Sequence, residues 1–251
     1  MACFPFLRGM TQVRLLTGVV GGRYHYLESQ QANMAAKFNL GYDYSFDAGS
    51  NTPDFSGSTD VYVITKELRW NQMNRGLVLG LEVEASEKVL HSIYFEGKTN
   101  SASGKRTNTT RGFDESFSLK SKFGGIHYNF TYKPFKRLGF FYDLAFTRYR
   151  IRFSASSPSQ TEDIQNETMG YRLQLLSGSY KPGSKALNLV NGIGVDLALV
   201  QSERFALSLR PEFGFAFNRM SEVNLGVLYN KWIFNLNYVQ CGLIIKTRIS
   251  Q

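Results

Sequence analysis

The sequence is poor in the patterns that mark metal sites and helical membrane anchors. Its 251 residues include two cysteines, Cys3 and Cys241, without a Cys-x-x-Cys pair or Cys/His ligand spacing, which argues against a zinc site. No run of about 18 apolar residues occurs, so transmembrane helices are excluded. Charged residues make up only 20% of the chain, against 43% hydrophobic and 14% aromatic residues, which excludes a disordered chain.

The dominant pattern is alternation of apolar and polar residues with a period of two. In residues 205–217 the odd positions are apolar, from Phe205 to Phe217, and the even positions are small or charged. Successive side chains of a strand point to opposite faces, so this pattern predicts a strand with one apolar face. Segments predicted as further strands are 12–26, 34–46, 60–70, 77–83, 115–123, 126–132, 140–153, 168–177, 187–199 and 239–249. We find no segment of useful length with the helical period.

The links between these segments also carry information. Short links at 71–75, 134–139, 181–185 and 201–204 alternate with long polar links at 47–59, 92–115 and 154–167. An up-and-down barrel with short turns at one rim and long loops at the other has this order. We therefore predict an all-β, up-and-down antiparallel transmembrane β-barrel of 10–12 strands. It forms a single domain over residues 11–251, after an N-terminal segment, 1–10, that is a truncated or extra strand.

The environment of the apolar faces decides between two kinds of barrel. A soluble barrel buries its apolar face, whereas a transmembrane barrel turns it outward to lipid. The apolar stripes are long enough for the roughly 9–11 residues of a tilted crossing, and they are rich in Phe and Tyr near the strand ends. The opposite faces are rich in Gly, Ala and Ser as well as charge, which suits a crowded lumen. We favour the membrane, with a soluble lipocalin-like barrel as the alternative.

Three segments, Asn191–Leu197, Phe205–Glu212 and Tyr238–Leu243, look like a penultimate hairpin and a closing strand. In them the chain resembles the small outer-membrane β-barrels of Gram-negative bacteria, in particular the PorT-like outer-membrane β-barrel family of the Bacteroidota. The resemblance implies a protein of the bacterial outer membrane that contacts lipid. It also allows protein partners in an envelope complex, such as a type IX secretion assembly.

The two ends of the chain depart from that family. The sequence ends in Ile249-Ser250-Gln251, where such barrels usually have an aromatic residue, and residues 1–22 do not form a convincing signal peptide. Together with the strand pattern, this leads us to expect a mature or truncated form of a longer protein.

The polar faces of the predicted strands define lumen-facing candidates of mixed charge. Charges in a low-dielectric interior must be paired, so they predict a salt-bridged plug, with a channel constriction as the alternative. The candidates are Lys37, Asp43, Glu82, Glu84, His127, Lys133, Asp143, Arg150, Arg172, Asp196, Arg210, Glu212, Lys246 and Arg248. The densest basic run is Arg148, Arg150 and Arg152. For this run a solvated strand end above the membrane is favoured over an anion-selective constriction.

His127 raises the question of catalysis. Some outer-membrane barrels are hydrolases or acyltransferases that act on lipids through His with Ser or Asp partners. Here the partners to consider are Ser121, Asp143 and Glu82, but no Gly-x-Ser-x-Gly motif occurs. We therefore expect a hydrogen-bonded lumen histidine, and neither catalytic residues, metal nor cofactor.

The polar segment 96–115 carries the basic residues Lys98, Lys105, Arg106 and Arg111. Its composition predicts a flexible, solvated surface loop. The alternative is contact with phosphate groups of surface lipopolysaccharide, which the net charge of +9 favours. The basic residues are dispersed and no recognition module is present, so nucleic-acid binding is disfavoured.

The sequence thus predicts a non-enzymatic outer-membrane β-barrel that acts structurally or as a subunit of an envelope or secretion assembly. Three alternatives stay open. They are a porin-like channel for small solutes, a lipid-modifying outer-membrane enzyme and a soluble ligand-binding barrel.

Overall fold

The computed structural model describes residues 12–46, 53–56, 59–156, 185–224, 227–234 and 238–249. These residues form one helix and twelve strands. In chain order the elements are β1 Gln12–Tyr24, α1 His25–Asn39, β2 Asp43–Phe46, β3 Pro53–Ser56, β4 Tyr62–Lys66, β5 Asn74–Ser86, β6 Val89–Asn108, β7 Phe113–Phe135, β8 Leu138–Ser156, β9 Lys185–Gln201, β10 Phe205–Asn224, β11 Val227–Phe234 and β12 Tyr238–Arg248.

Eight of the described strands close into a ring. The order is β1-β5-β6-β7-β8-β9-β10-β12, β12 returns to β1, and every pairing is antiparallel. β4 adds to one end of β6 and β11 to one end of β10, so this sheet contains ten strands. The predicted up-and-down antiparallel barrel is confirmed. Among the described residues eight strands close the ring, fewer than the predicted 10–12, and the sheet reaches ten strands only with β4 and β11.

The connections differ between the two rims of the ring. Turns of two or three residues, at 87–88, 136–137 and 202–204, lie at one rim. At the opposite rim, called the loop rim below, β1 ends and β5 begins, β8 ends and β9 begins, and the four-residue turn 109–112 joins β6 to β7. The chain segments between the first two pairs of strand ends, 25–73 and 157–184, are much longer than the short turns. β1 begins and β12 ends at the short-turn rim. This asymmetry of turns and loops is the one that outer-membrane barrels have.

Side chains alternate between the outside and the lumen along the ring strands. On β5, Leu77 and Leu79 face outward and are 67% and 57% exposed, whereas Val78 between them is buried. The outward apolar residues form a band across all eight strands, called the apolar belt below. It consists of Val19, Leu77, Leu79, Leu81, Ile93, Phe95, Ile126, Tyr128, Phe130, Tyr132, Phe140, Tyr142, Leu144, Phe146, Ile193, Leu197, Leu199, Phe205, Phe213, Phe215, Val239, Leu243 and Ile245. An apolar outside is the arrangement of a transmembrane barrel and the reverse of a soluble one.

The lumen of an eight-stranded barrel is just wide enough for side chains to fill it. Inward glycines provide room for large neighbours: a Cβ atom on Gly214 would lie 2.6 Å from Cε1 of Tyr238. One part of the interior is an apolar cluster, made of Leu16, Val20, Val78, Tyr94 and Ile244. The rest is polar and is described in the next subsection.

The predicted strand 34–46 is wrong over its first half, which belongs to helix α1. The buried residues of this region are Gln31, Met34, Ala35 and Phe38. Their spacing of i, i+3, i+4 and i+7 is that of one helical face. The alternation that suggested a strand therefore arose from two members of a helical stripe, Met34 and Phe38.

The end of α1 is defined by a glycine. Gly41 has a positive φ of 76°, which glycine adopts without strain. Its N–H donates to the carbonyl of Phe38, and the N–H of Tyr42 donates to the carbonyl of Lys37, each at 3.1 Å. These two bonds form a Schellman motif, which satisfies carbonyls at the helix end.

The predicted loop 92–115 is also wrong, because β6 and β7 stay paired along it. Their register runs without a shift from Val89 opposite Tyr132 to Asn108 opposite Phe113. The two strands therefore rise past the ring, and residues 99–121 are called the hairpin extension below. Its outward positions on β6 are Thr99, Ser101, Ser103 and Lys105. These positions lack the apolar alternation on which the strand prediction depended.

The other predicted strands within the described residues are present, with changed limits. Segments 115–123 and 126–132 form one strand, β7, and segment 60–70 shortens to β4. The predicted N-terminal segment 1–10 and the predicted strand 168–177 lie outside the described residues.

Candidate functional site

Three connected groups of polar side chains fill the lumen, and the first lies towards the short-turn rim. Lys246 on β12 donates to Glu82 at 2.8 Å and to Asp196 at 2.6 Å. The guanidinium of Arg14 on β1 bridges Glu82 and Glu84, at 3.3 Å to each. Four strands of the ring are thereby connected through buried or half-buried charges.

The second group lies at the centre and surrounds His127 on β7. Nδ1 of His127 lies 2.7 Å from Oδ2 of Asp143 on β8. The hydroxyl of Tyr94 donates to the other oxygen of Asp143 at 2.9 Å, and its ring stacks on the imidazole at 4.8 Å between centroids. Arg210 lies above the Phe141 ring at 4.3 Å and 3.9 Å from Asp196, which joins this group to the first.

The third group lies towards the loop rim and is centred on Lys98, whose side chain is fully buried. Its ammonium forms an ion pair with Glu96 and donates to the hydroxyl of Tyr24 at 2.7 Å and to Oε1 of Gln240 at 2.6 Å. The amide of Gln240 donates to Glu212 at 2.8 Å. The hydroxyl of Tyr238 also donates to Glu212.

At the centre of the lumen these groups leave little free space, whereas a cavity of about 470 Å³ lies at the short-turn rim, lined by residues that include Arg14, Glu84 and Lys133. The cavity between Tyr94, Glu96, Arg210 and Glu212 offers about 20 Å³ to the centres of water molecules, room for roughly one. Buried charges without partners would destabilise the barrel, so the ion pairs and hydrogen bonds described above are what allow the lumen to be charged. The arrangement suits a solid barrel better than a conduit.

Helix α1 covers the inner face of the hairpin extension. An apolar cluster joins Met34, Ala35 and Phe38 of the helix to Leu68, and to Phe117 and Leu119 of β7. We call this assembly the cap.

Polar contacts hold the cap at two places. The side chain of Asn39 accepts from the N–H of Leu68 at 2.8 Å and donates to its carbonyl at 3.1 Å. Arg106 forms an ion pair with Glu115 at 2.6 Å and donates to the carbonyl of Tyr42 at 2.7 Å. The cap is therefore a packed structure at the loop rim and not a set of solvated loops.

The structure brings most of the predicted lumen residues together. Those that lie in the polar groups are Glu82, Glu84, His127, Asp143, Asp196, Arg210, Glu212 and Lys246. Lys133 and Arg248 are half-buried near the short-turn rim. Arg172 lies outside the described residues.

Three predicted lumen residues lie elsewhere. Lys37 is on helix α1 and Asp43 on β2, so neither belongs to a ring strand. Arg150 was assigned to the lumen because the apolar pattern of β8 changes phase near Thr147. The register against β7 runs without a shift through this point, which places Arg150 on the outward face with its partner Lys122.

The predicted surface loop of basic residues is divided by the structure. Lys98 is in the lumen and Arg106 in the cap, and both are buried, because residues 96–106 continue β6 instead of forming a loop. Lys105 and Arg111 are exposed, and Arg111 forms an ion pair with Asp60 at 2.8 Å.

Sequence reasoning missed several members of the lumen groups, namely Arg14, Tyr24, Tyr94, Glu96, Lys98, Tyr238 and Gln240. A signal was available for β6. Glu96 and Lys98 continue the inward set of Leu90, Ser92 and Tyr94 at a spacing of two. A strand predicted from this spacing over residues 90–98 places both charges in the lumen.

Of the catalytic partners predicted for His127, the structure places one beside it. Of the three partners considered, Asp143 contacts the imidazole. Ser121 instead donates to Asn74 at 2.9 Å, and Glu82 lies in the group near the short-turn rim. Within the described residues no group of three His, Cys, Asp or Glu side chains could hold a metal ion. Among the described residues Cys241 is a free cysteine that faces outward on β12, and Cys3 lies outside them.

Comparison with known proteins yields structural similarity alone. No protein-family model and no curated protein sequence matches the chain significantly. Similar solved structures include the attachment invasion locus protein Ail of Yersinia pestis, with a TM-score of 0.41 and 9% identity over 95% of this chain and 98% of that one. They also include neisserial surface protein A, with a TM-score of 0.40 and 8% identity over 96% and 100% of the two chains.

A third similar structure is the outer membrane protein AlkL, with a TM-score of 0.40 and 10% identity over 100% of this chain and 95% of that one. At these scores the assignment of the fold depends on the strand pairing given above. Among the described residues no helix is long and apolar enough to cross a membrane.

Proposed function

We propose that the chain is an integral β-barrel of a bacterial outer membrane, with a filled lumen, that acts structurally or as a subunit of an envelope assembly. The apolar belt carries this proposal. It surrounds all eight ring strands, and several of its large side chains, including Leu77 and Ile193, are more than 60% exposed. Monomeric soluble proteins rarely expose apolar patches of more than a few hundred Å², whereas lipid covers such a surface.

The filled lumen favours a structural role over a channel. Lys98, Lys246 and Asp143 are at most 2% exposed and are each engaged by neighbouring side chains. A solute would have to displace these contacts, and each broken pair would leave a buried charge without its partner. A porin-like function is therefore the weaker candidate. The resemblance of the closing strands to PorT-like barrels supports an envelope assembly, such as a secretion complex, as the setting.

The first experiment tests the barrel itself. The chain is extracted with and without detergent, and its migration on gels is compared before and after boiling. We expect extraction only with detergent and a shift in mobility on boiling, because a closed barrel resists dodecyl sulfate until it is heated. A protein that is soluble without detergent and shows no shift would contradict the proposal and favour a soluble ligand-binding barrel.

The second experiment separates a structural barrel from a channel or an enzyme. The heat-modifiable protein is reconstituted in planar bilayers and, separately, in vesicles of labelled phospholipid. We expect no unitary conductance and no lipid turnover. Stable conductance steps would establish a channel. Turnover that is lost in His127→Ala would establish a lipid-modifying enzyme.

A further inference from the structure

The outward faces of β7 and β8 change from apolar to basic at one level. Ile126 and Phe146 are cross-strand neighbours in the apolar belt. Towards the loop rim, the next charged outward residues are Lys122 and Lys120 on β7 and Arg148 on β8. All three are exposed. We call these three residues the basic patch.

The register concentrates further basic residues around this patch. Arg150 and Arg152 lie opposite Lys122 and Lys120, and the next strand places Lys185 opposite Arg150. Paired positions of neighbouring strands are about 5 Å apart, so these residues share one small area of the sheet. Described outward positions of β7 from 116 to 132 and of β8 from 140 to 150 include no Asp or Glu.

The cations of the patch differ from the buried cations of the lumen and from the cation at the hairpin tip. Lys98 and Lys246 in the lumen, and Arg111 at the hairpin tip, are all paired with carboxylates. Within the part of the chain that the structure describes, no carboxylate lies within ion-pair distance of Lys120, Lys122 or Arg148. Like charges on neighbouring strands destabilise a sheet unless an anion lies between them. The patch therefore has the properties of an anion-binding surface.

The level of the patch indicates which anion. A strand rises about 3.3 Å per residue, so at a tilt near 40° Arg148 lies about 5 Å and Lys122 about 10 Å beyond the last belt residues. The headgroup region of a bilayer extends about 5–8 Å outside the hydrocarbon core, so the backbone of Arg148 lies at this depth and the flexible side chain of Lys122 can extend back to it. Phosphate groups of lipids are the anions found at that depth.

The outward strand residues differ between the two edges of the apolar belt. Towards the loop rim, β1 and β5 also carry exposed basic residues, Arg23 and Arg75. Towards the short-turn rim, the outward strand residues include Tyr132, Phe140 and Phe205, and the exposed cations Lys88, Lys136 and Arg137 lie in the turns and not on the strands. Longer loops face the outside of the cell in outer-membrane barrels, so the basic edge lies in the outer leaflet.

We infer that the basic patch binds the phosphate groups of the phosphorylated glycolipid of the outer leaflet, lipopolysaccharide, through Lys120, Lys122 and Arg148. This inference rests on the proposed function, because it requires the belt to lie in the membrane. The sequence analysis considered contact with lipopolysaccharide for the basic residues of segment 96–115, whereas this inference assigns the contact to the outer face of β7 and β8.

The test compares two triple variants of equal charge change. The first is Lys120→Gln/Lys122→Gln/Arg148→Gln. The control is Lys88→Gln/Lys136→Gln/Arg137→Gln, which removes two lysines and one arginine from exposed turns at the short-turn rim. The full chain and both variants, each verified by heat-modifiable mobility, are titrated in neutral detergent with lipid A, dephosphorylated lipid A or phosphatidylglycerol, and binding is measured by native mass spectrometry.

We expect the patch variant to bind lipid A about a hundredfold more weakly than the wild type, since each basic residue near a lipid phosphate contributes about 1 kcal/mol. The control should stay within about twofold, and dephosphorylated lipid A should bind as weakly as lipid A binds the patch variant. Equal binding by the patch variant and the wild type would overturn the inference. Equal affinity for phosphatidylglycerol would overturn the commitment to the glycolipid. If the patch does not bind lipid A but the protein is still heat-modifiable, only this inference fails. If the protein is soluble without detergent and its gel mobility does not change on boiling, the proposed function fails as well.

Discussion

Strand β7 passes through two environments of opposite polarity. In its second half, Ile126 and Phe130 face outward and are exposed, while His127 and Asn129 face the lumen and are buried. In its first half, within the hairpin extension, Phe117 and Leu119 face inward and are buried against the cap. On this one strand, the apolar residues face outward in the half near the short-turn rim and face inward in the half near the loop rim.

The surrounding medium explains this inversion. An apolar outer face is stable only where lipid covers it, and an apolar inner face is stable where protein covers it and water lies outside. The change occurs between Leu119 and Ile126, the stretch that contains Lys120 and Lys122. The boundary between lipid and water can therefore be located on β7 to within a few residues, and the basic patch lies on it.

The largest expected effect comes from the lumen. Lys246→Met removes the ammonium shared by Glu82 and Asp196 and leaves both carboxylates buried without it. Breaking one side of a buried ion pair destabilises a protein by about 3–5 kcal/mol. We expect a loss of this size in the urea unfolding of the detergent-solubilised barrel, followed by gel mobility. Lys88→Met, at an exposed turn position, is the control and should change the unfolding free energy by less than about 0.5 kcal/mol.

A somewhat smaller effect should come from the belt. Leu79→Arg places a charge on the outward face at the level of Phe95, near the middle of the belt. Arginine on the lipid face costs about 2–4 kcal/mol at the bilayer midplane. Ser101→Arg introduces the same side chain at an outward position of the hairpin extension, where water surrounds it. This variant should leave the free energy of unfolding almost unchanged. The measurement is folding into phospholipid vesicles against urea. Equal stability of the two variants would show that both positions lie in water and would remove the contrast within the strands.

The sequence predicts faces better than it predicts partners. Period-two alternation identifies the outward side of β5, β10 and β12, because each turns a continuous apolar stripe to one medium. Parity also places Glu82 and Lys246 in the lumen. Their contact spans 164 positions of sequence, and only closure of β12 on β1 brings them together. Such pairings depend on the register of the whole ring, which a single sequence does not encode locally.

The two main errors of prediction arose where a pattern was interpreted too narrowly. The polar outer face of the hairpin extension resembles a loop when apolar alternation is required of a strand. The stripe of α1 resembles a strand when Met34 and Phe38 are read without Gln31 and Ala35. Gly41 two residues after the helix was the available signal for a helix end.

A third variant tests whether the cap is stable independently of the ring. Asn39→Ala removes two hydrogen bonds to the main chain of Leu68, a residue that is 1% exposed. Leaving buried main-chain groups without partners costs about 1–3 kcal/mol. We expect faster proteolysis within residues 25–70 and unchanged heat-modifiable mobility, because the ring does not depend on these bonds. Loss of the mobility shift would contradict this by showing that ring and cap unfold together.

The smallest expected effect concerns the tip of the hairpin extension. Arg111 is exposed and forms an ion pair with Asp60 at 2.8 Å. The Asp60 side chain is 9% exposed and keeps its hydrogen bond from Asn108 at 3.0 Å when Arg111 is removed. An ion pair with a solvated partner contributes about 0–1 kcal/mol and is screened by salt. Arg111→Ala should therefore change the rate of cap proteolysis by less than about fivefold at low salt and not measurably at 1 M salt, where the Debye length is about 3 Å. A large effect that persists at high salt would mean that Arg111 is held in a medium of low dielectric constant. The water boundary would then have to lie beyond the hairpin tip instead of on β7 between Leu119 and Ile126.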